Sequence, residues 1–150
     1  MNRIIIVGNG FDLAHGLKTS YKDFISWYWE KTWKKLQKCI TFVYEDDLLD
    51  IKLKYSGYCI CSYFQATPQS GGIYNYIASL QNGDNYVNNV EISPFLERIS
   101  KSIEKKGWVD IEADYYAMLV ECKGKKNELE RLNKDFAIIQ GLLVEYLGST

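Results

Sequence analysis

The residues best suited to chemistry stand near the start of the chain, at Gly8-Asn9-Gly10-Phe11-Asp12, with His15 and Gly16 close behind. Two glycines one residue apart let the backbone take positive φ and let a ligand reach the main chain with no side chain between. Amide N–H groups freed at such a bend, with the first turn of a helix behind them, suit a phosphate. The candidate binding set for a nucleotide is therefore Gly8, Asn9, Gly10, Phe11, Asp12, His15 and Gly16. Asp12 can accept from a ribose hydroxyl, or cap the first helical turn. Asn9 tolerates the left-handed backbone and can be there for that alone. His15 is the one histidine; its ordinary pKa lies near neutrality, so it can act as a general base or contact a ribose or phosphate. No carboxylate partner for it is fixed by the sequence, which leaves His15 a weak candidate and the catalytic residues unknown. The bend matches neither common phosphate pattern. Leu13 stands where Gly-x-Gly-x-x-Gly requires its third glycine, and no Gly-Lys-Ser/Thr follows. A tight strand–helix turn that needs glycine only for its geometry is the alternative.

The element that must position these residues is Ile4-Ile5-Ile6-Val7. Unbroken apolar, β-branched residues read as a strand covered on both faces. Strand, glycine turn and helix start together predict the opening of a Rossmann-like parallel sheet. Only one such strand is convincing, so the expected fold is a helix-rich α/β domain with an incomplete sheet. A chain of 150 residues suits a single domain, and 47% apolar content supports a folded core.

Helical spacing and Ser20, with Asp23 three residues on, predict a helix from Tyr21 to about Cys39 with Phe24, Trp27, Tyr28, Trp33 and Leu36 on its apolar positions. Lys31, Lys34, Lys35 and Lys38 crowd its second half. They suit the negative end of the dipole, and the same face can touch phosphate or lipid. Residues 40–44 read as a strand or as an extension of that helix. Asp46, Asp47 and Asp50 suggest either a metal or, more simply, capping and surface charge at a helix start. Residues 55–90, rich in Tyr, Gly, Ser and Asn with Gly71-Gly72 as a turn signal, read as a loop-rich insertion with short strands such as 58–64. Ser93-Pro94 starts a helix that Gly107 ends. Another helical pattern follows from Trp108 through Tyr115, Tyr116, Leu119 and Val120. Asp110 and Glu112 would share a face on a strand and diverge on a helix; they are either a paired-acid site or a solvated pair. The last helix is expected over about 127–147, with Leu129, Leu132, Phe136, Ile139, Leu143 and Tyr146 facing the core.

A formal net charge of −1 implies no general attraction to nucleic acid. No apolar run approaches the ~18 residues of a membrane helix, and no signal peptide precedes the first strand. A cytoplasmic location is expected, with Cys39, Cys59, Cys61 and Cys122 as free, buried thiols and no metal site.

At Ile5-Val7-Gly8-Asn9-Gly10-Phe11-Asp12-Leu13-Ala14-His15-Gly16-Leu17, followed by Thr19-Ser20-Tyr21-Lys22-Asp23-Phe24, the chain resembles the bacteriophage abortive infection AbiH family. Trp108-Val109-Asp110-Ile111-Glu112 with Tyr115-Tyr116 resembles that family's Trp-x-Asp-x-Glu region. The resemblance implies antiphage defence in bacteria. The opening is also similar, more distantly, to sirtuin-like NAD-binding proteins: Gly8, Gly10 and Gly16 match their glycines, and Asp23-Phe24 an Asp-Phe pair. Asn9 and Asp12 depart from that pattern, and six residues separate Gly16 from Asp23 where it has two. The later Phe-Asn-Tyr-Thr and His-x-His-Gly segments of longer AbiH-like proteins are absent from the sequence. The resemblance thus implies the N-terminal half of such a protein, truncated or divergent; whether it is an enzyme is left open, and if it is one, the resemblance implies an NAD glycohydrolase-like enzyme inactive as this chain alone.

The reading that follows is an antiphage protein with a binding loop for NAD or a related nucleotide. The alternative is a non-catalytic sensor or interaction domain that meets a phage or host protein through residues 55–90 and the lysine face of residues 31–38. A second copy of the chain is a further candidate partner.

Overall fold

The computed structural model describes residues 20–38, 43–53, 72–80, 87–107 and 109–149. They form α1 (Tyr21–Lys38), β1 (Val43–Glu45), β2 (Leu49–Leu53), α2 (Gly72–Leu80), β3 (Val87–Ile92), α3 (Pro94–Lys106), α4 (Ile111–Glu121) and α5 (Lys126–Ser149).

Local chemistry accounts for the helix limits. At the start of α1, Ser20 Oγ accepts from the Asp23 amide at 3.1 Å and donates to the Asp23 carboxylate at 2.6 Å. The amide bond is one half of a capping box; the carboxylate returns to the Ser20 hydroxyl rather than to its backbone N–H. Ser93 caps α3 by accepting from the Leu96 amide at 3.2 Å, and Pro94 opens the helix, where its missing N–H costs nothing. Gly107 closes α3 at φ 75°, its amide donating to the Ile103 carbonyl. Asp110 caps α4 through the Ala113 amide at 2.9 Å. The expected helices at 21–39, 94–107 and 127–147 are all present within a few residues.

The sheet differs from expectation. A Rossmann-like or sirtuin-like parallel sheet was the expected frame; the described residues instead form five helices and one three-stranded antiparallel sheet of order β1-β2-β3. Tyr44 pairs with Ile51, and Ile51 in turn with Val90. The physical reason lies in residues 46–48: so short a link can only return the chain beside itself, whereas a parallel neighbour needs a crossover of a dozen residues or more. Period-two alternation then places Leu49, Ile51, Val90 and Ile92 in the core, while Lys52 and Glu91 face out.

Two further expectations are corrected. Asp46, Asp47 and Asp50 belong to a hairpin, not a helix start. Asp46 accepts from the Leu48 and Leu49 amides at 2.9 and 2.8 Å, and from Tyr44 Oη at 3.1 Å. The stretch 55–90 holds α2 and the start of β3. Gly72 is the first residue of α2, at φ 73°, rather than part of a turn, and Tyr74, Ile77 and Leu80 seat the helix in the core. Residues 58–64 lie outside the described residues, as do Cys39, Cys59 and Cys61; Cys122 is a buried free thiol. No helix among the described residues is long and apolar enough to cross a membrane.

The core runs between α1 and the other layers. Trp29 of α1 donates to Ser100 of α3 at 3.0 Å and meets Tyr74 of α2 at 5.5 Å between ring centroids. Tyr146 of α5 packs on Phe24 and Trp27. Helices α3, α4 and α5 pack against one another. Arg98 of α3 clamps α4 from one side, donating to Asp114 at 3.3 Å and to both Glu121 oxygens at 2.7 and 2.9 Å.

Among the described residues Asp135 is the one buried acid of that core. Burial pushes its carboxyl above the ordinary aspartate value, although Ser93, Arg131 and the Phe95 amide pull the other way, and its Oδ2 lacks a partner. A carboxyl held higher in the folded chain binds its proton more tightly there, so its stabilising share is full at low pH. That share is lost as pH rises from the unfolded value through the raised one. We expect the melting temperature of D135N, relative to the parent, to become more favourable as pH rises from the ordinary aspartate value through that window. A difference that stays flat across that window would show that the carboxyl titrates alike in both states.

Candidate functional site

Two segments that carry the resemblance meet in space. Tyr21, first residue of α1, lies directly after the stretch 8–20 in the chain. Its phenol donates to Glu112 Oε1 in the first turn of α4, 91 positions away. Ser20 and Asp23 lock the α1 terminus, and Asp110 locks the α4 terminus, so neither backbone can swing away without losing its cap. Burial first, then the Glu112 hydrogen bond and the charges of Glu112 and Asp110, push the Tyr21 phenol up. Tyr21 therefore stays a neutral donor, and Glu112 stays held by one oxygen while the side chain as a whole is exposed.

The two acids expected as a pair have different duties. Asp110 is spent on the α4 cap, and Glu112 on Tyr21. They diverge, as the helical alternative required. Tyr115 faces inward: its ring stacks on Phe136 at 4.0 Å and its phenol donates to Asn133 at 2.8 Å. Tyr21 was legible in the sequence only as the start of a helix. Its partnership with Glu112 could have been suspected because both stand in the family-like segments.

Gly8, Asn9, Gly10, Phe11, Asp12, His15 and Gly16 lie outside the described residues, as does Trp108. Among the described residues, no group of three His, Cys, Asp or Glu side chains is placed to hold a metal ion. A cleft of about 240 Å³ lies between Tyr28, Lys31, Leu48, Ile138 and Glu145. It falls short of the ~300–1,000 Å³ usual for small-molecule sites, and is no seat for a whole nucleotide.

The lysine face of α1 is in part engaged. Lys31 pairs with Glu145 at 2.5 Å and lies 4.7 Å from the Trp27 ring centroid. Lys34, Lys35 and Lys38 are exposed. Truncating Glu145 to alanine removes a surface pair, and we expect it to lower stability by no more than ~1 kcal/mol by urea titration.

Residues 4–142 match the family model described as bacteriophage abortive infection AbiH. The match takes in both segments joined by Tyr21 and Glu112; it gives no support to the sirtuin-like likeness. No curated protein and no solved structure matches the chain.

Proposed function

The chain belongs to the bacteriophage abortive infection AbiH family and serves antiphage defence; on that premise we propose that it does so by binding a nucleotide of the NAD type through residues 8–16. The observation that supports this reading is the Tyr21–Glu112 hydrogen bond, which ties the Trp108–Glu112 segment to the helix following Gly16. In this reading the phosphates accept from the backbone amides of Gly8, Asn9 and Gly10. Successive backbone N–H groups can bind an anion by their own partial charges, without a parallel sheet. Asp12 accepts from a ribose hydroxyl, and His15 contacts ribose or phosphate. Tyr21 and Glu112 act as positioning residues that hold the end of the loop against α4. Catalysis is not assigned to this chain alone.

Adding ADP-ribose or NAD at about a hundredfold excess over its Kd stabilises a binder by ~2.7 kcal/mol. For a chain of this length that is a rise in melting temperature of roughly 5–10 °C. G10V, whose side chain fills the space the phosphate needs, should abolish the rise, and Y21F should reduce it while leaving the unliganded melting temperature nearly unchanged. No rise at millimolar ligand, or an undiminished rise in G10V, would overturn the proposal.

A further inference from the structure

The outward face of α4 carries large apolar side chains that no described residue covers. Tyr116 is 69% exposed and Val120 60%, while Ile111 on the opposite side is buried. At 100° per residue, Glu112, Ala113, Tyr116 and Val120 fall within one arc of about 100°. All four are exposed. Lys123, in the turn after the helix, continues that stripe, and its side chain has no partner among the described residues. The stripe therefore reads acid, apolar, apolar, base from one end to the other.

That order is complementary to itself when reversed. We propose that this face is a two-fold docking surface for a second copy of the chain, with the two α4 helices antiparallel. An axis at the level of Met118 sets Tyr116 opposite Val120 of the second copy, and Val120 opposite its Tyr116. The same axis brings Glu112 to Lys123 of the second copy, twice by symmetry, as an isologous interface requires. Antiparallel helices also set each positive dipole end against a negative one. A receptacle is present: an open groove of about 740 Å³, with Leu119, Val120, Cys122 and Leu129 on its apolar side and Lys123, Lys125 and Lys126 on its rim, can take the ring of the opposing Tyr116. Glu112 has an oxygen to spare, because its bond to Tyr21 uses only Oε1. The Arg98 clamp on Asp114 and Glu121 holds α4 from behind, so the face is presented rigidly. This inference does not depend on nucleotide binding.

The test is sedimentation of the full chain from about 5 to about 500 µM at low salt, since one helix face per copy is smaller than a standard interface and association will be of modest affinity. The mass should rise from 17.4 kDa towards twice that value. V120E should remain monomeric throughout, with its melting temperature unchanged as the check on folding. E112K alone and K123E alone should each weaken association at least tenfold by placing like charges together. An equimolar mixture of the two should restore it, because every cross-contact is then again between opposite charges. A parent chain that stays monomeric at the highest concentration, a V120E variant that still dimerises, or a mixture no better than its components would each overturn the proposal.

Discussion

Trp29→Ala is expected to lower the stability of the folded chain by on the order of 4 kcal/mol, within the range for emptying a buried aromatic position. The indole is 4% exposed and joins three helices at once. It donates to Ser100 on α3 at 3.0 Å, meets Tyr74 on α2, and packs edge-on against Tyr28 one position back on α1 at 5.3 Å. Truncation opens a cavity and also leaves the Ser100 hydroxyl, 2% exposed, without its donor. A domain's whole stability is ~5–15 kcal/mol, so one substitution removes a large part of it. Trp29→Phe keeps most of the ring area and should lie between the parent and Trp29→Ala. Urea titration of the three proteins checks the order. A loss below ~1 kcal/mol for Trp29→Ala would mean that the α1–α2–α3 junction is not where the core is anchored.

Asp46→Ala is expected to cost about 3 kcal/mol and to loosen the β1–β2 turn before the helices. One carboxylate serves two backbone amides, Leu48 and Leu49, and accepts from the phenols of Tyr28 and Tyr44. Alanine takes the acceptor from the Leu48 and Leu49 amides, and losing an acceptor is the costly half of the hydrogen-bond balance. Burial first, then the Asp46 charge, pushes the Tyr28 phenol up, so this donor stays protonated at any ordinary pH. Hydrogen exchange at Leu48, Leu49 and Ile51 should quicken in the variant more than exchange in α5. Uniform quickening would instead place the hairpin in the same cooperative unit as the helices.

Much of the helical frame was legible because its signals are local. Ser20 with Asp23, Ser93 with Pro94, and Gly107 act within one turn of their own helix, and a 3.6-residue apolar period needs no distant partner. The strands were not legible to the same degree. Leu49-Asp50-Ile51-Lys52-Leu53 alternates as a half-buried strand does, but it is five residues long, and its Asp50 with Asp46 and Asp47 just before it suggested a cap. The Val87–Ile92 strand carries two asparagines, poor strand formers that pairing overrides. Helix α2 begins at a glycine with positive φ and owes its place to Tyr74, Ile77 and Leu80 in the core rather than to propensity.

Sequence alone determined where α1, α3 and α5 begin and end, and marked the two segments that carry the family likeness. Only the tertiary structure decided that the sheet is antiparallel, that Tyr21 reaches Glu112, and that Tyr116 and Val120 face outward while Tyr115 faces in. The division has one cause. Caps and apolar periods are settled among residues a turn apart, where the chain itself holds the partners together. Strand pairing, and a contact between residues 91 positions apart, are settled by which closures bury the most surface for the entropy they cost.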